Sequence, residues 1–231
     1  MILNMMGGNH LGGLLKNKIN KMKNLKELFT NTYVNNGWTQ DGSISGLGSS
    51  LAYTENIRKV LVDIIKQNGI KTIWDCSCGD WHWMKEIKDE LPNYIGNDVV
   101  DRLVEINNET YGSDTIRFQC GDMLEELRKL ETMSIDLILC RHTLEHLPTQ
   151  YAIDVVREIH RVSKHSLITS VPRGNSDIDA NGQNARPIDL EKNEYFDILG
   201  NPIQRYYDTK GIPVENEYGI NLYENWHQQL K

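Results

Sequence analysis

Five short apolar runs alternate with amphipathic segments through the middle of the chain. The runs are rich in β-branched and aromatic residues and predict strands, at Ile70–Asp75, Tyr94–Asp98, Ile116–Cys120, Ile135–Cys140 and Ser166–Val171. The segments between them carry apolar residues at helical spacing and predict helices at Trp81–Leu91, Asp101–Tyr111, Met123–Leu130 and Thr149–Val162. Because each parallel strand connection needs a crossover, we expect an α/β fold with a doubly wound, mostly parallel sheet and helices on both faces.

The two ends of the chain depart from this alternation. Residues 1–20 are rich in glycine and asparagine and predict a mobile tail. Residues 21–69 predict two helices, Lys21–Val34 and a second that stops at Asn68-Gly69, joined by the loop Gly42–Ser50, which on its composition alone is a flexible linker. Residues 70–231 hold the predicted core, in which Pro202–Thr209 and Glu217–Glu224 are expected to form an antiparallel C-terminal strand pair.

Composition narrows the class of protein. A chain of 231 residues with 39% hydrophobic content suits one full-sized domain. The net charge of −7 is spread along the chain, which favours a small-molecule substrate over nucleic acid. Cys76, Cys78, Cys120 and Cys140 lack the spacing of a disulfide scaffold and predict reduced thiols in a cytoplasmic protein. No apolar run reaches 18 residues, so no membrane span is expected; the oligomeric state stays open.

The segment Thr72–Met84 predicts a strand, a tight turn and the start of a helix. The turn consists of the small or polar residues Cys76–Asp80, and Gly79 removes a Cβ obstruction. Backbone N–H groups at such a turn can contact a nucleotide-like or amino-acid-like ligand. A glycine after a strand is equally often a simple connector, so the turn needs support from other positions.

Three aspartates supply that support. Asp75 closes the first strand, Asp98 closes the second, and Asp122 follows the third within two residues. The separation of Asp75 and Asp98 is close to the roughly 20 residues between a phosphate-binding turn and a ribose-binding acid. A carboxylate accepts hydrogen bonds from two ribose hydroxyls at once, and Asp122 can accept from an adenine amine. Each aspartate alone would also fit a turn or a helix cap.

Taken in order, these motifs resemble those of the class I, Rossmann-like, S-adenosylmethionine-dependent methyltransferases. The resemblance rests on Asp75-x-x-Cys-Gly-Asp80, Tyr94-Ile-Gly-Asn-Asp98, Cys120-Gly-Asp122 and Asp136-Leu-Ile-Leu-Cys-Arg-His-Thr-Leu-Glu-His-Leu-Pro148, and covers roughly residues 43–196. It implies S-adenosyl-L-methionine as the cofactor. The residues it implies for cofactor binding are Asp75, Ser77, Cys78, Gly79, Asp80, Trp81, Asp98, Val99, Asp122, Met123 and Arg141, with Gly48 and Ser49 from a loop that covers the cofactor.

The chain is more narrowly similar to a bacterial subfamily often found beside surface-polysaccharide genes. The shared segments are Gly46-Leu-Gly-Ser49, Cys78-Gly-Asp-Trp-His-Trp-Met84 and Asn175-Ser-Asp-Ile178, followed by Gly182, Arg186 and Leu190. This similarity implies O-methylation of a small polar acceptor such as a sugar or nucleotide-linked sugar. Two positions depart from the pattern: Ser77 stands where a glycine is usual, and His142 stands where the subfamily has an acid.

Two histidines are candidates for catalysis. Methyl transfer to an alcohol requires removal of its proton, and a histidine is a suitable general base at neutral pH. His142, directly after the fourth strand, is the first candidate and His146 is the second; both could instead have a packing role. The same residues match the H-x-x-E-H zinc-peptidase pattern, but that site needs both histidines on one helix, and Pro148 makes a strand-to-loop junction the better interpretation. No metal site is predicted.

Residues 172–196 form a long polar segment that predicts a substrate loop. Asn175, Asp177 and Arg186 offer an amide, an acceptor and a bidentate cation for a hydroxyl-rich or phosphorylated ligand. Two other functions stay open from the sequence. One is a nucleotide-dependent oxidoreductase, although G-x-G-x-x-G is missing; the other is a non-catalytic binding subunit that retains the fold.

Overall fold

The computed structural model describes residues 25–170, 185–207 and 219–225. Within these residues one sheet contains seven strands in the order β3-β2-β1-β4-β5-β7-β6. The strands are β1 Thr72–Asp75, β2 Asn93–Asp98, β3 Ile116–Cys120, β4 Ile135–Cys140, β5 Ser163–Ser170, β6 Gln204–Tyr207 and β7 Gly219–Glu224. Strands β1 to β5 pair in parallel, and β7 lies antiparallel between β5 and β6. The predicted sheet and its antiparallel C-terminal pair are confirmed.

Helices cover both faces of this sheet. The helix α1 includes residues 25–34, and it is followed by α2 Glu55–Asn68, α3 Asp101–Tyr111, α4 Met123–Lys129, α5 Thr149–Val162 and α6 Asn193–Leu199. Short 3-10 segments lie at Leu47–Ser49, Met84–Glu90 and Leu144–His146. None of the helices described is both long and apolar enough to cross a membrane.

Alternate residues of the central strands enter two different cores. Ile73 packs with the apolar faces of α2 and α3, whereas its neighbour Trp74 packs with α4, α5 and α6. Side chains of a strand point to opposite faces in turn, so a strand that is buried on both faces reads as a continuous apolar run. Complete burial of one such side chain contributes roughly 1.5–3 kcal/mol, and both layers hold the carboxyl ends of the strands in place.

Two elements differ from the sequence-based expectation. The predicted helix Trp81–Leu91 is instead a turn followed by the 3-10 segment Met84–Glu90, in which Ile87 is non-helical. Trp81 has a φ of 55°, outside the helical region, because the chain leaves the turn with this indole buried in the core. The end of the expected substrate loop 172–196 forms α6, whose Tyr195 and Leu199 are buried. The expected tail, residues 1–20, and residues 172–184 of the loop lie outside the described residues.

Candidate active site

A cavity of about 430 Å³ lies beyond the carboxyl ends of β1, β2, β3 and β4. In an open α/β sheet this edge is where ligands bind. Most of the expected cofactor residues and both histidines line it: Gly48, Ser49, Asp75, Ser77, Cys78, Gly79, Asp98, Val99, Asp122, Met123, Arg141, His142 and His146. Asp80, Trp81 and Arg186 do not line it, and Asn175 and Asp177 lie outside the described residues.

The turn after β1 is held by hydrogen bonds to buried groups. The N–H of Gly79 donates to Asp98 Oδ2 at 3.0 Å, and Asn107 Nδ2 donates to the Gly79 carbonyl at 2.8 Å. Gly79 has a φ of 55°, and a Cβ there would lie 2.4 Å from Ser45 Oγ. Only glycine therefore fits between the turn and the loop that crosses it.

Asp75 is a buried carboxyl at the floor of the cavity. It is only 5% exposed, and the Tyr94 hydroxyl donates to its Oδ2 at 2.8 Å. Burial outweighs this hydrogen bond and raises the pKa of Asp75 to about 7. A ligand that brings positive charge into the cavity would therefore favour the ionised form of Asp75.

Asp98 links the β2 end to the turn. Its Oδ1 accepts from the Val100 N–H and its Oδ2 from the Gly79 N–H, both at 3.0 Å. Burial raises the pKa of Asp98, and the backbone hydrogen bonds oppose that rise. The two carboxylate oxygens together offer about four acceptor sites, more than the backbone groups occupy, so Asp98 retains capacity to accept from a ligand hydroxyl.

Asp122 caps α4. Its Oδ1 accepts from the Leu124 and Glu125 N–H groups, both at 3.1 Å, and from the Tyr151 hydroxyl at 2.7 Å. Oδ2 has no hydrogen bond to any residue that the structure describes. One oxygen is thus structural, and the other is available to a donor such as an amine.

Asp80 forms hydrogen bonds to the covering loop, Gly42–Ser50, and does not line the cavity. Its Oδ2 accepts from Ser43 Oγ at 2.9 Å and from the Ile44 N–H at 2.8 Å, and the Asp80 N–H donates to Ser45 Oγ at 2.9 Å. Tyr33 in α1 contacts the same Ser45 hydroxyl. The glycine- and serine-rich loop, a flexible linker by composition, is therefore held across the turn, and Asp80 acts indirectly on the site.

Two other expected site residues are buried and do not line the cavity. Trp81 is 1% exposed, and its ring packs against Tyr94, Tyr111 and Phe118. Arg186 is 5% exposed; its Nε donates to the Leu147 carbonyl and its backbone N–H to the Glu145 carbonyl. Both residues belong to motifs of the resemblance, but their side chains lie outside the cavity lining.

The end of β4 brings together the residues expected to do chemistry. His142 Nδ1 lies 2.8 Å from Glu145 Oε1. The His146 ring packs against Trp38 at a centroid distance of 5.5 Å, and burial lowers the pKa of His146. The Arg141 guanidinium lies 5.4 Å from the centre of the Trp83 ring, within cation–π range.

Several lining residues were not expected from the sequence. The wall of the cavity contributed by α1 and the turn after it is aromatic, and the rings of Phe29 and Tyr33 both contact that of Trp38. No local pattern in the sequence indicated that α1 folds over the β4 end. Glu145 and Trp83 also line the cavity, and both belong to motif segments in which they had no assigned role.

Residues 74–166 match the family model of a methyltransferase domain. That range runs from β1 into β5 and contains the three aspartates, the turn and both histidines. No curated protein sequence matches the chain.

Solved structures share the fold at low sequence identity. One is 1,6-didemethyltoxoflavin-N1-methyltransferase from Burkholderia thailandensis, with a TM-score of 0.61, 11% identity and coverage of 97% of this chain and 93% of that one. Another is magnesium protoporphyrin IX methyltransferase from Synechocystis PCC 6803, with a TM-score of 0.53, 15% identity and coverage of 73% and 78%. A third, from Pyrococcus horikoshii OT3, has a TM-score of 0.54, 16% identity and coverage of 74% and 88%.

The family match supports methyl transfer from S-adenosylmethionine as the cofactor and reaction class, and the solved structures support the fold. The residues present fit that cofactor. Asp122 Oδ2 is open to an amine, and Asp98 retains lone pairs for hydroxyls. Asp75 directly precedes the turn in which position 79 must be glycine. Among the described residues, no group of three or more His, Cys, Asp or Glu side chains is arranged to hold a metal ion.

Proposed function

We propose that this protein is an S-adenosylmethionine-dependent methyltransferase that methylates a hydroxyl of a small polar acceptor, such as a sugar or nucleotide-linked sugar, in the cytoplasm. The observation that carries the proposal is the meeting of Asp75, Asp98 and Asp122 around the Gly79 turn, in one cavity with His142. The match of residues 74–166 to a methyltransferase domain supports methyl transfer as the reaction class.

The carboxylates would hold the donor. Asp98 would accept from its ribose hydroxyls, Asp122 from its adenine amine, and Asp75 would face its amino-acid part. When bound, S-adenosylmethionine supplies a methyl group activated by a sulfonium. The donor carries positive charge on sulfur and on its amino group, so three carboxylates in a partly buried cavity complement it.

The acceptor would lie between the β4 end and α1. His142 or His146 would take the proton of the acceptor hydroxyl. Placement of the acceptor oxygen in line with the methyl carbon and the sulfur would account for much of the remaining rate acceleration. The Trp38 ring offers a flat apolar surface beside His146 for one face of an acceptor ring, a usual feature of small-molecule sites. Asn175 and Asp177 stay candidates for acceptor recognition; the burial of Arg186 argues against direct contact by that residue.

Calorimetric titration of the purified chain with S-adenosylmethionine and S-adenosylhomocysteine tests the donor site directly. Asp122→Asn retains one oxygen for the α4 cap and places an NH₂ opposite the adenine amine. We expect a weakening of donor binding by roughly ten- to hundredfold, equivalent to about 1–3 kcal/mol for an unmatched donor. Asp114→Asn, an exposed charge change before β3, is the matched control and should leave the affinity unchanged.

Absence of binding by the wild-type chain would remove the proposal. Binding of NAD in the same titration would instead favour the oxidoreductase. If the chain binds the donor but methylates none of a panel of free and nucleotide-linked sugars, the proposed acceptor class is wrong and the proposed donor site still stands.

A further inference from the structure

The backbone at the end of β4 fixes the position of His142. Its φ of 50° lies in the left-handed region, which costs a non-glycine residue roughly 1–2 kcal/mol. The His142 N–H donates to Thr169 Oγ1 of β5 at 3.0 Å. On the other side the ring lies against the covering loop, since a Cβ on Gly48 would be 3.5 Å from His142 Cδ2. The imidazole is thus held between the sheet and the loop at the cavity wall.

Glu145 determines how that ring is oriented. Its Oε1 lies 2.8 Å from His142 Nδ1, and its side chain is 6% exposed, against 21% for that of His142. Burial alone would raise the pKa of Glu145, but the hydrogen bond and the charges of His142 and His146 bring it below its usual value. Glu145 is therefore ionised at neutral pH and can only accept a hydrogen bond.

An acceptor at Oε1 requires a proton on Nδ1 of His142. In the neutral ring the other nitrogen, Nε2, is then unprotonated and able to take a proton. The same relation between a carboxylate and an imidazole orients the general base of serine hydrolases and stabilises its protonated form. Here the two residues are three positions apart, joined by the 3-10 segment Leu144–His146.

We propose that Glu145 is the positioning residue of a His142–Glu145 pair that removes the proton from the acceptor hydroxyl. This inference rests on the proposed function. As the acceptor oxygen forms its bond to the methyl carbon, the electron pair of the carbon–sulfur bond stays on sulfur. The hydroxyl proton passes to His142 Nε2, and the imidazolium later releases it to solvent while Glu145 balances its charge.

Other charged groups share the cavity with this ring. Among the described residues they are Asp75, Asp98, Asp122, Arg141 and His146, whereas Gly48 and Ser49 of the loop and Thr169 of β5 are uncharged. Arg141 and a protonated His146 would disfavour a positive charge on the His142 ring, and the three aspartates would favour it. Glu145 contacts the ring nitrogen directly, so a substitution there separates its effect from the background of the other charges.

The test uses nitrogen-15 NMR of the full chain with labelled histidine, and His142→Gln assigns the His142 signals by their loss. We expect wild-type His142 to be the Nδ1–H tautomer when neutral. Glu145→Gln preserves an oxygen for Nδ1–H but removes the charge, so the titration midpoint of His142 should fall by about one pH unit or more. Glu194→Gln, an exposed carboxylate change, is the control and should leave the midpoint unchanged.

The outcomes separate this inference from the proposed function. An Nε2–H tautomer in the wild-type chain, or an unchanged His142 midpoint in folded Glu145→Gln, would overturn the positioning role. The wild-type tautomer is informative even if Glu145→Gln does not fold. Loss of donor binding by the wild-type chain would remove the proposed function, but the tautomer measurement would still decide how Glu145 and His142 interact.

Discussion

Replacement of Asp75 by asparagine should stabilise the protein, and by more at high pH than at low pH. Asp75 is 5% exposed, and burial raises its pKa to about 7. A carboxyl with a raised folded pKa binds its proton more tightly in the folded than in the unfolded chain. Its contribution to stability is therefore complete below the unfolded pKa, declines as the pH rises towards 7, and is lost above that value.

The size of the effect follows from the two pKa values. An unfolded aspartate has a pKa of about 3.9, so at pH 8, where Asp75 is ionised in both states, its charge opposes folding by roughly 4 kcal/mol. At pH 5 the folded side chain is protonated and the unfolded one is mostly ionised, so the proton taken up on folding costs about 1.5 kcal/mol. The asparagine side chain of the variant would carry no charge at either pH. It would lose one of the two hydrogen bonds that the carboxyl accepts, from Tyr94 and Ser77, at a cost of about 1 kcal/mol that does not change with pH. The stabilisation should therefore be larger by roughly 2–3 kcal/mol at pH 8 than at pH 5.

Urea unfolding at 25 °C, followed by circular dichroism at both pH values, measures this difference. Asp114→Asn removes an exposed negative charge and controls for the change in net charge. An Asp75→Asn effect of equal size at pH 5 and pH 8 would refute the reasoning, because it would mean that Asp75 ionises at its ordinary pKa in the folded protein.

Three further substitutions separate residues that hold the site from residues that line it. Asp80→Asn removes the charge that accepts from Ser43 and Ile44, so the covering loop should be cleaved faster in limited proteolysis and donor binding should weaken by roughly tenfold. Gly79→Ala should abolish donor binding in calorimetry, because its Cβ would lie 2.4 Å from Ser45 Oγ; adding Ser45→Gly removes that contact and should restore part of the binding, and no recovery would count against the steric explanation. Trp81→Ala should lower the free energy of urea unfolding by about 3–5 kcal/mol, and donor affinity near the wild-type value in the folded fraction would agree with its place in the core.

Most strands and helices could be predicted from the sequence because their hydrophobic patterns are local. Strands buried on both faces are continuous apolar runs, and the helix α5 carries Ile153, Val156 and Ile159 on one buried face. The predicted 81–91 helix was wrong because tertiary burial of Trp81 overrode a helical pattern. The helix α6 was missed since its two buried residues, Tyr195 and Leu199, stand in a polar segment.

The order of residues along the chain is enough to indicate which end of the sheet holds the candidate site. Asp75, Asp98 and Asp122 follow successive parallel strands, and the carboxyl ends of parallel strands meet at one edge regardless of how the rest packs. Their order along the chain was enough to predict a common cavity.

Contacts between distant segments set the position of each side chain at this edge. Asp80 and Trp81 stand beside Gly79 in the motif, yet Asp80 turns to the covering loop and Trp81 to the core. The pairing of His142 with Glu145, and the packing of Trp38 on His146, depend on how a 3-10 segment and α1 meet the β4 end. Side-chain direction and contacts between distant segments are set by packing, which the order of residues does not encode locally.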